Sequence, residues 1–350
     1  MFEECLLSKD NTVKDAIGLL EGKSIRSVFI VDSDMHLEGI FTRGDLRQYM
    51  LSSNDLNVPL ADVMNRNPIT FHSVKAANAY SQKQKLVVYP IVSRERKLTD
   101  VIYNTWDVIA EASESKCLED VPLVVMAGGL GTRLYPLTKI LPKALIPIGD
   151  LTITERIIHN FEIWGCKEVY LILNHKADMI KAYFNELEKD YNVHYLQEEK
   201  FLGTGGGLSL LKGFIQKTFI LTNCDVLVNA DFDCVMKTHY HNGNVITFVG
   251  AMKNIPIPYG IIDTNAQGEI TGLREKPDVS FLTNTGVYVC EPNVIKELDE
   301  NCFCHITDIA QKYMDQGNKV GVFPVTENVW LDMGQFKEMK DMMNALGIEE

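Results

Sequence analysis

Five apolar residues, Leu123-Val124-Val125-Met126-Ala127, run straight into Gly128-Gly129-Leu130-Gly131, and no other stretch limits the fold of this chain as tightly. A short apolar run bounded by turn residues predicts a buried strand. Glycines lack a Cβ, so their N–H groups can approach phosphate oxygens closely. A strand ending in such a loop sets it at the carboxyl edge of a sheet, where open α/β folds bind ligands. Thr132 and Arg133 follow, then Lys139 and Lys143, and no acidic residue stands between Val121 and Gly149. In a chain of net charge −13 this is a local site for an anion. The spacing is neither a dinucleotide fingerprint, whose third glycine would fall on Leu134, nor a Walker loop, because Thr132-Arg133 follows Gly131.

From Val121 onward strand and helix patterns alternate, which predicts a largely parallel sheet with helices on both faces. Apolar residues at Ile153, Ile157, Ile158 and Phe161 give a helix between Thr152 and Trp164 that stops at Gly165. Glu168 to Leu173 reads as a strand, Lys176 to Leu187 as a helix, and Thr218 to Thr222 as a buried strand ending in Asn223-Cys224-Asp225. A carboxylate at the tip of a central strand, on the same sheet edge as the glycine loop, is placed to hold Mg²⁺ against a triphosphate. Magnesium takes oxygen ligands and needs only one or two carboxylates. Tyr259 to Asp263, a turn at Asn265-Ala266-Gln267-Gly268 and a return strand ending in Glu275-Lys276-Pro277 read as a hairpin.

The first third of the chain is a repeat with a constant offset of 61. Thr12-Val13-Lys14 falls on Ser73-Val74-Lys75, Phe29-Ile30-Val31 on Pro90-Ile91-Val92, Leu37 on Leu98 and Ile40 on Val101. Each copy should run helix, strand, turn, strand, helix; in the first these are Val13 to Leu20, Ser27 to Val31, Leu37 to Thr42 and a helix opening at Arg43-Gly44-Asp45. The domains expected are 1–117, with repeats of about 1–60 and 61–117, a polar hinge at Cys117-Leu118-Glu119-Asp120, and 121–350.

The acidic balance excludes the broad basic face a nucleic-acid partner requires. No apolar run reaches the roughly 18 residues of a membrane span, and Met1-Phe2-Glu3-Glu4-Cys5 lacks a signal-peptide pattern, so a cytoplasmic location is expected. Eight scattered cysteines without a C-x-x-C pair read as reduced thiols. Cys302-Phe303-Cys304-His305 has no second ligand pair, and small buried hydrophobes near a helix start account for it better than a metal.

Together, G-G-x-G-T-R-L from Gly128, Pro136-Leu137-Thr138 and Pro142-Lys143 resemble the signature of sugar-1-phosphate nucleotidyltransferases, the nucleotide-sugar pyrophosphorylases. The resemblance extends to about residue 340. It implies a Rossmann-like (GT-A-like) mixed α/β sheet and a Mg²⁺-dependent transfer from a nucleoside triphosphate to a sugar 1-phosphate. It also implies that Gly128, Gly129, Gly131, Thr132 and Arg133 hold phosphates, that Lys143 stabilises charge at the α-phosphate, and that Asp225 and Asp332 (in Trp330-Leu331-Asp332-Met333-Gly334) hold the metal. Gly203 and Thr204, in Leu202-Gly203-Thr204-Gly205-Gly206-Gly207, would lie against base and ribose, the extra glycine adding freedom to that loop. Gly260, Glu275 and Lys276 would face sugar hydroxyls and sugar phosphate, and Asn284 the sugar. The family's glycine-lysine-proline run after Pro147 is replaced here by Gly149-Asp150-Leu151-Thr152.

Residues 1–117 resemble a CBS domain pair, on Gly39-Ile40-Phe41-Thr42-Arg43-Gly44-Asp45-Leu46 and on Asp62-Val63-Met64. That implies a regulatory adenine or guanine nucleotide at Thr42 and Asp45 in the first copy; Thr42 would serve equally as a helix N-cap. In the second copy Tyr103 and Trp106 occupy the equivalent positions and Asp100 replaces Gly39, so at most one intact site is expected. CBS pairs commonly dimerise, which points to a homo-oligomer. The combination resembles CBS-fused guanylyltransferases of legionaminic acid-type sugar pathways, implying GTP and an amino-hexose 1-phosphate such as glucosamine 1-phosphate. The other readings are thymidylyl or uridylyl transfer to glucose 1-phosphate, and a catalytically silent nucleotide sensor.

Overall fold

The computed structural model describes residues 3–22, 27–81, 88–103 and 116–348. The chain divides into two compact units, Met1–Asp107 with Met252–Thr283, and Val108–Ala251 with Asn284–Glu350.

In the first unit the sequence repeat reappears as a repeat of structure. Helix Val13–Gly22 leads to the antiparallel pair Ser27–Val31 and Leu37–Thr42, with Leu6–Leu7 added in parallel at the edge. Helix Val74–Ser81 leads to the antiparallel pair Val88–Val92 and Leu98–Tyr103. Ser27 pairs with Thr42 as Val88 pairs with Tyr103, and both ladders slip at the same point, between Ile30 and Val31 and between Ile91 and Val92. A bulge fixed at one place in two copies marks a shared register, because a slip by one residue would turn every apolar side chain outward. Trp106 lies outside the described residues, and of Tyr103 only the backbone is described.

One core holds much of this unit: Val13, Leu20, Phe29, Ile30, Phe41 and Leu60 from the first copy, and Val88, Val92 and Leu98 from the second. Met252, 3% exposed, belongs to the same core, and Leu282 packs against it. Lys14 forms an ion pair with Asp278, which also accepts from Asn254 Nδ2 at 3.2 Å, while Ser280 Oγ donates to Asn254 Oδ1 at 2.7 Å. Residues 252–283 are therefore anchored among the N-terminal residues, whereas the sequence reading assigned 121–350 to one domain.

The second unit is built on a seven-stranded mixed sheet in the order Asn192–Gln197, Glu168–Leu173, Leu123–Ala127, Phe219–Asn223, Asp278–Cys290, Ile246–Pro256, Val320–Thr326. The first four run parallel, and Asp278–Cys290 pairs antiparallel to Phe219–Asn223. Leu123, Val125 and Ala127 enter one core and Val124 another, so the strand is buried on both faces, as its unbroken apolar run requires. Helix Ile153–Glu162 opens on a capping box: Thr152 N–H donates to Glu155 Oε2 at 2.8 Å and Glu155 N–H donates to Thr152 Oγ1 at 3.2 Å. Its Phe161 lies 4.7 Å, centroid to centroid, from Phe232. Because four neighbouring strands are parallel, the segments after Ala127, Leu173, Gln197 and Asn223 all leave from one sheet edge.

Candidate active site

The glycine loop sits at that edge. Gly131 takes φ +64°, and a Cβ there would stand 3.0 Å from Thr138 Cγ2 and 3.2 Å from Lys143 Cβ. Glycine is thus needed twice over, for the left-handed turn and for closeness to the lysine. Thr138 Oγ1 donates to Gly131 O at 2.8 Å and ties the loop down. Gly129 faces open space, and Thr132 and Arg133 are exposed while Leu134 is fully buried beneath them. Lys139 stands over the Tyr135 ring at 5.4 Å from its centroid. Lys176 was not singled out from the sequence, yet its Nζ donates to the carbonyls of Thr138, Lys139 and Ile140 at 3.2, 2.6 and 2.8 Å. It closes the C-terminus of helix Leu137–Ile140, where carbonyls lack helical partners.

Lys143 opens a 3₁₀ turn and forms an ion pair with Asp225. Directly after Asp225, Val226–Val228 pairs antiparallel with Trp330–Asp332, Val226 opposite Asp332, and Met333 N–H donates to Asp225 O at 2.8 Å. This two-stranded ladder brings together two aspartates from distant parts of the sequence. Burial, aided by the charges of Asp225 and Glu338, pushes the Asp332 carboxyl up to about 6, against the pull of Lys143 and Arg133. Arg133, Lys143, Asp225 and Asp332 therefore share one neighbourhood. Glu338 Oε2 is buried without a hydrogen-bond partner. Acidic oxygens gathered in low dielectric with one lysine among them fit a hard divalent cation, for which two carboxylates are enough.

Gly203–Gly206 forms a helical turn whose glycines are demanded by packing. A Cβ at Gly203 would stand 2.4 Å from Cys304 O, and one at Gly206 2.2 Å from Cys302 O. The N–H groups of Gly205 and Gly206 donate to Cys304 O at 3.0 and 3.1 Å, and Cys304 N–H donates to Leu202 O at 3.1 Å. The extra glycines expected to loosen this loop instead admit the backbone of Cys302–His305; Cys302 is exposed and Cys304 half-buried, not the buried hydrophobes expected from the sequence. Thr204 Oγ1 meets His305 Nδ1 and accepts from Ile306 N–H, each at 3.3 Å.

Asn284 is exposed at the start of its segment; its Nδ2 donates to Tyr288 OH at 2.8 Å and its Oδ1 accepts from Gly286 N–H at 3.0 Å. Gly260, Glu275 and Lys276 belong to the other unit, at the base of hairpin Ile261–Thr264 and Ile270–Arg274. A Cβ at Gly260 would stand 3.1 Å from Glu275 Oε2, and Lys276 takes φ +43°. Thr42 and Asp45 form a closed capping box at helix Arg43–Ser52: Thr42 N–H and Oγ1 both donate to Asp45 Oδ2, at 2.8 and 2.7 Å. The turn at Asp32, Asp34 and His36, expected from the sequence only as the link between two strands, is internally hydrogen-bonded, with Asp34 exposed and Asp32 and His36 half-buried.

The family model for nucleotidyl transferase matches residues 123–347, from the strand before the glycine loop through the helix after Asp332. The chain belongs to the nucleotidyl transferase family. A second family model, the CBS domain, matches residues 5–52. Over 220 residues the transferase is 30% identical to a bifunctional protein GlmU of Methanococcus maripaludis, covering 60% of this chain and 51% of that protein. It is 28% identical over 228 residues to a mannose-1-phosphate guanyltransferase of Emericella nidulans, covering 61% of each. The chain thus spans about half the length of the first of these relatives. Among solved structures, HddC from Yersinia pseudotuberculosis superposes with a TM-score of 0.52 at 22% identity, over 65% of this chain and 99% of that one, a likeness of fold. No helix among the described residues is long and apolar enough to cross a membrane.

Proposed function

We propose that the transferase joins a nucleoside triphosphate to a sugar 1-phosphate, releasing pyrophosphate. The observation that carries this reading is the grouping of Arg133, Lys143, Asp225 and Asp332 under a glycine loop at the carboxyl edge of the sheet. Attack by a sugar phosphate on the α-phosphorus brings two polyanions together, so catalysis asks mainly for in-line positioning and neutralisation of charge. The nucleophile, a phosphate monoester with a second pKa near 6, is already largely a dianion at neutral pH and needs no general base. In this reading the amides of Gly128, Gly129 and Gly131 with Thr132 and Arg133 hold the β- and γ-oxygens. Lys143, fixed between Gly131 and Asp225, meets charge developing at the α-phosphate. Asp225 and Asp332 would hold Mg²⁺, which supplies Lewis acidity and a template for the two substrates.

Gly203 and Thr204 take the nucleoside side, and Gly260, Glu275, Lys276 and Asn284 the sugar phosphate. GTP and glucosamine 1-phosphate are the proposed pair; the similarity to mannose-1-phosphate guanyltransferases supports the choice of base and not that of the sugar. Thr42 and Asp45 remain the proposed regulatory nucleotide site, binding there requiring Asp45 to leave its cap. A panel of GTP, UTP, dTTP, ATP and CTP against sugar 1-phosphates, scored by pyrophosphate release, tests the reading. Release with GTP and glucosamine 1-phosphate is expected; silence across the whole panel with Mg²⁺ present rejects nucleotidyl transfer. Asp225→Asn should raise the Mg²⁺ concentration needed for half-maximal rate at least about tenfold, the scale at which an ionic ligand contact acts. An unchanged metal titration removes Asp225 from the metal.

A further inference from the structure

Strands Ile246–Pro256 and Asp278–Cys290 each serve two cores. Val249 and Ala251 of the first, with Val287 and Val289 of the second, enter a core of the mixed sheet. Met252 enters the core of the N-terminal repeats instead, and Leu282 packs against it. Between these two strands runs the segment that carries Gly260, Glu275 and Lys276. Past its base the segment buries little: Tyr259, Ile262, Ile270 and Leu273 are all exposed. A two-stranded hairpin without a packed face is marginal by itself. Its orientation is therefore set where its two legs meet the repeats.

Polar contacts gather at that point. Ile257 N–H donates to Pro277 O at 2.9 Å and closes the base of the hairpin. The next residue, Asp278, receives Lys14 and Asn254 Nδ2, and Asn254 is held in turn by Ser280. Lys14 and Asn254 keep the Asp278 carboxyl below the usual carboxylate range, so the pair is fully charged at neutral pH. Lys14 is itself fixed, because its N–H donates to Leu56 O at 2.9 Å and that of Val13 to Val58 O at 3.0 Å. Lys276 stands two residues before Asp278 and takes φ +43°. A side chain on left-handed backbone is costly and persists only where its surroundings impose it.

The side chain of Lys14 is 50% exposed and that of Asp278 19%. Such a pair adds little to global stability. On a segment with so little other anchorage it acts differently, by deciding which orientation is populated. A binding group held in place only part of the time binds with correspondingly reduced affinity.

We propose that Lys14, in the first N-terminal repeat, is a positioning residue for the sugar 1-phosphate: through Asp278 it holds Glu275 and Lys276 in the orientation that receives the substrate. This role rests on the assignment above of Glu275 and Lys276 to the sugar phosphate. The groups assigned to the nucleotide all belong to the other unit. Breaking the ion pair should therefore act on the sugar substrate and spare the nucleotide.

Steady-state kinetics of the full-length protein test this, with Mg²⁺, GTP and glucosamine 1-phosphate, or glucose 1-phosphate if the panel favours it. Lys14→Glu sets two carboxylates against each other. It should raise KM for the sugar 1-phosphate at least about tenfold, the scale of a lost hydrogen bond between charged groups. KM for the nucleotide and kcat should stay within about twofold, as for a contact that acts only on sugar binding. Lys14→Arg should behave as wild type, and Asp278→Lys combined with Lys14→Glu should recover most of the loss. Amide exchange over residues 257–277 should quicken in Lys14→Glu, while the melting temperature changes little. An active Lys14→Glu protein with unchanged KM for the sugar 1-phosphate overturns the proposal and leaves the ion pair merely structural. So do a rise shared equally by both substrates and a charge exchange that restores nothing. Wild type that releases no pyrophosphate across the whole panel rejects nucleotidyl transfer itself, without recourse to any variant, and the role of Lys14 falls with it.

Discussion

Two acidic sites on this chain are made of the same residue types and are finished differently. At the start of helix Arg43–Ser52, Asp45 accepts from the backbone and hydroxyl of Thr42, and Thr42 accepts in return from the Asp45 backbone. At the sheet edge of the other unit, Asp332 is half-buried beside Asp225 and Glu338, Glu338 Oε2 has no partner, and Glu198 Oε1 has none either. A carboxylate that serves the fold has its hydrogen bonds met by the fold. One that serves a ligand is left short and is held in that state by the packing around it. The difference separates Thr42 and Asp45, which the helix already employs, from the cluster to which the proposed function assigns a cation.

The sharpest way to break this contrast is at Lys143, the lysine paired with Asp225. Lys143→Ala should cut turnover at least about a hundredfold, the scale of losing a preorganised charge contact at a reacting centre, with unchanged circular dichroism. Near-normal activity would take Lys143 out of the chemistry and leave its ion pair with Asp225 merely structural.

A smaller effect is expected from pH. The Asp332 carboxyl is raised to about 6 from an ordinary 3.8, so between about pH 4 and pH 6 the folded chain holds a proton that the unfolded chain has released. Without divalent cation, this group's contribution to stability should be present near pH 4 and be lost as pH rises through about 6. Asp332→Asn should flatten that slope in denaturant titrations. Added Mg²⁺ should raise the melting temperature more at pH 7 than at pH 5. A wild-type slope of the opposite sign that Asp332→Asn leaves unchanged would contradict the buried, cation-seeking state.

The smallest effect belongs to the closed site. Asp45→Ala should cost about 1 kcal/mol through its lost cap and abolish any change of rate caused by adenine or guanine nucleotides. Should the variant still respond to such a nucleotide, the sensor lies elsewhere and the capping box is all that Thr42 and Asp45 provide.

Much of this arrangement was legible before any coordinates. The 61-residue offset carried over to strand ends and even to a shared bulge, because apolar periodicity and register are two views of one constraint. The glycine loop, Lys143, Asp225 and Asp332 were legible through residue type and motif. Glu198 was not. In Gln197-Glu198-Glu199-Lys200 it looks like one member of a solvated charge run. Its burial is decided by Gly128, seventy residues upstream, and by Gly207, nine residues downstream, which signal only looseness when read alone. Lys176 was missed for a similar reason: the carbonyls it gathers lie on a helix more than thirty residues upstream. The extent of the N-terminal unit was hidden too, since nothing local in Met252 or Leu282 announces which core will take it.

That last feature bears on how such a protein can be divided. A truncated chain beginning at residue 108 would keep Met252, Leu282 and Asp278 but forfeit the apolar bed and the lysine that receive them. Such a fragment would carry sticky, orphaned strand extensions on its exterior, bearing Glu275 and Lys276 at their tips. The N-terminal third is thus not a removable accessory: it is scaffolding for a stretch of chain that the transferase fold begins and ends.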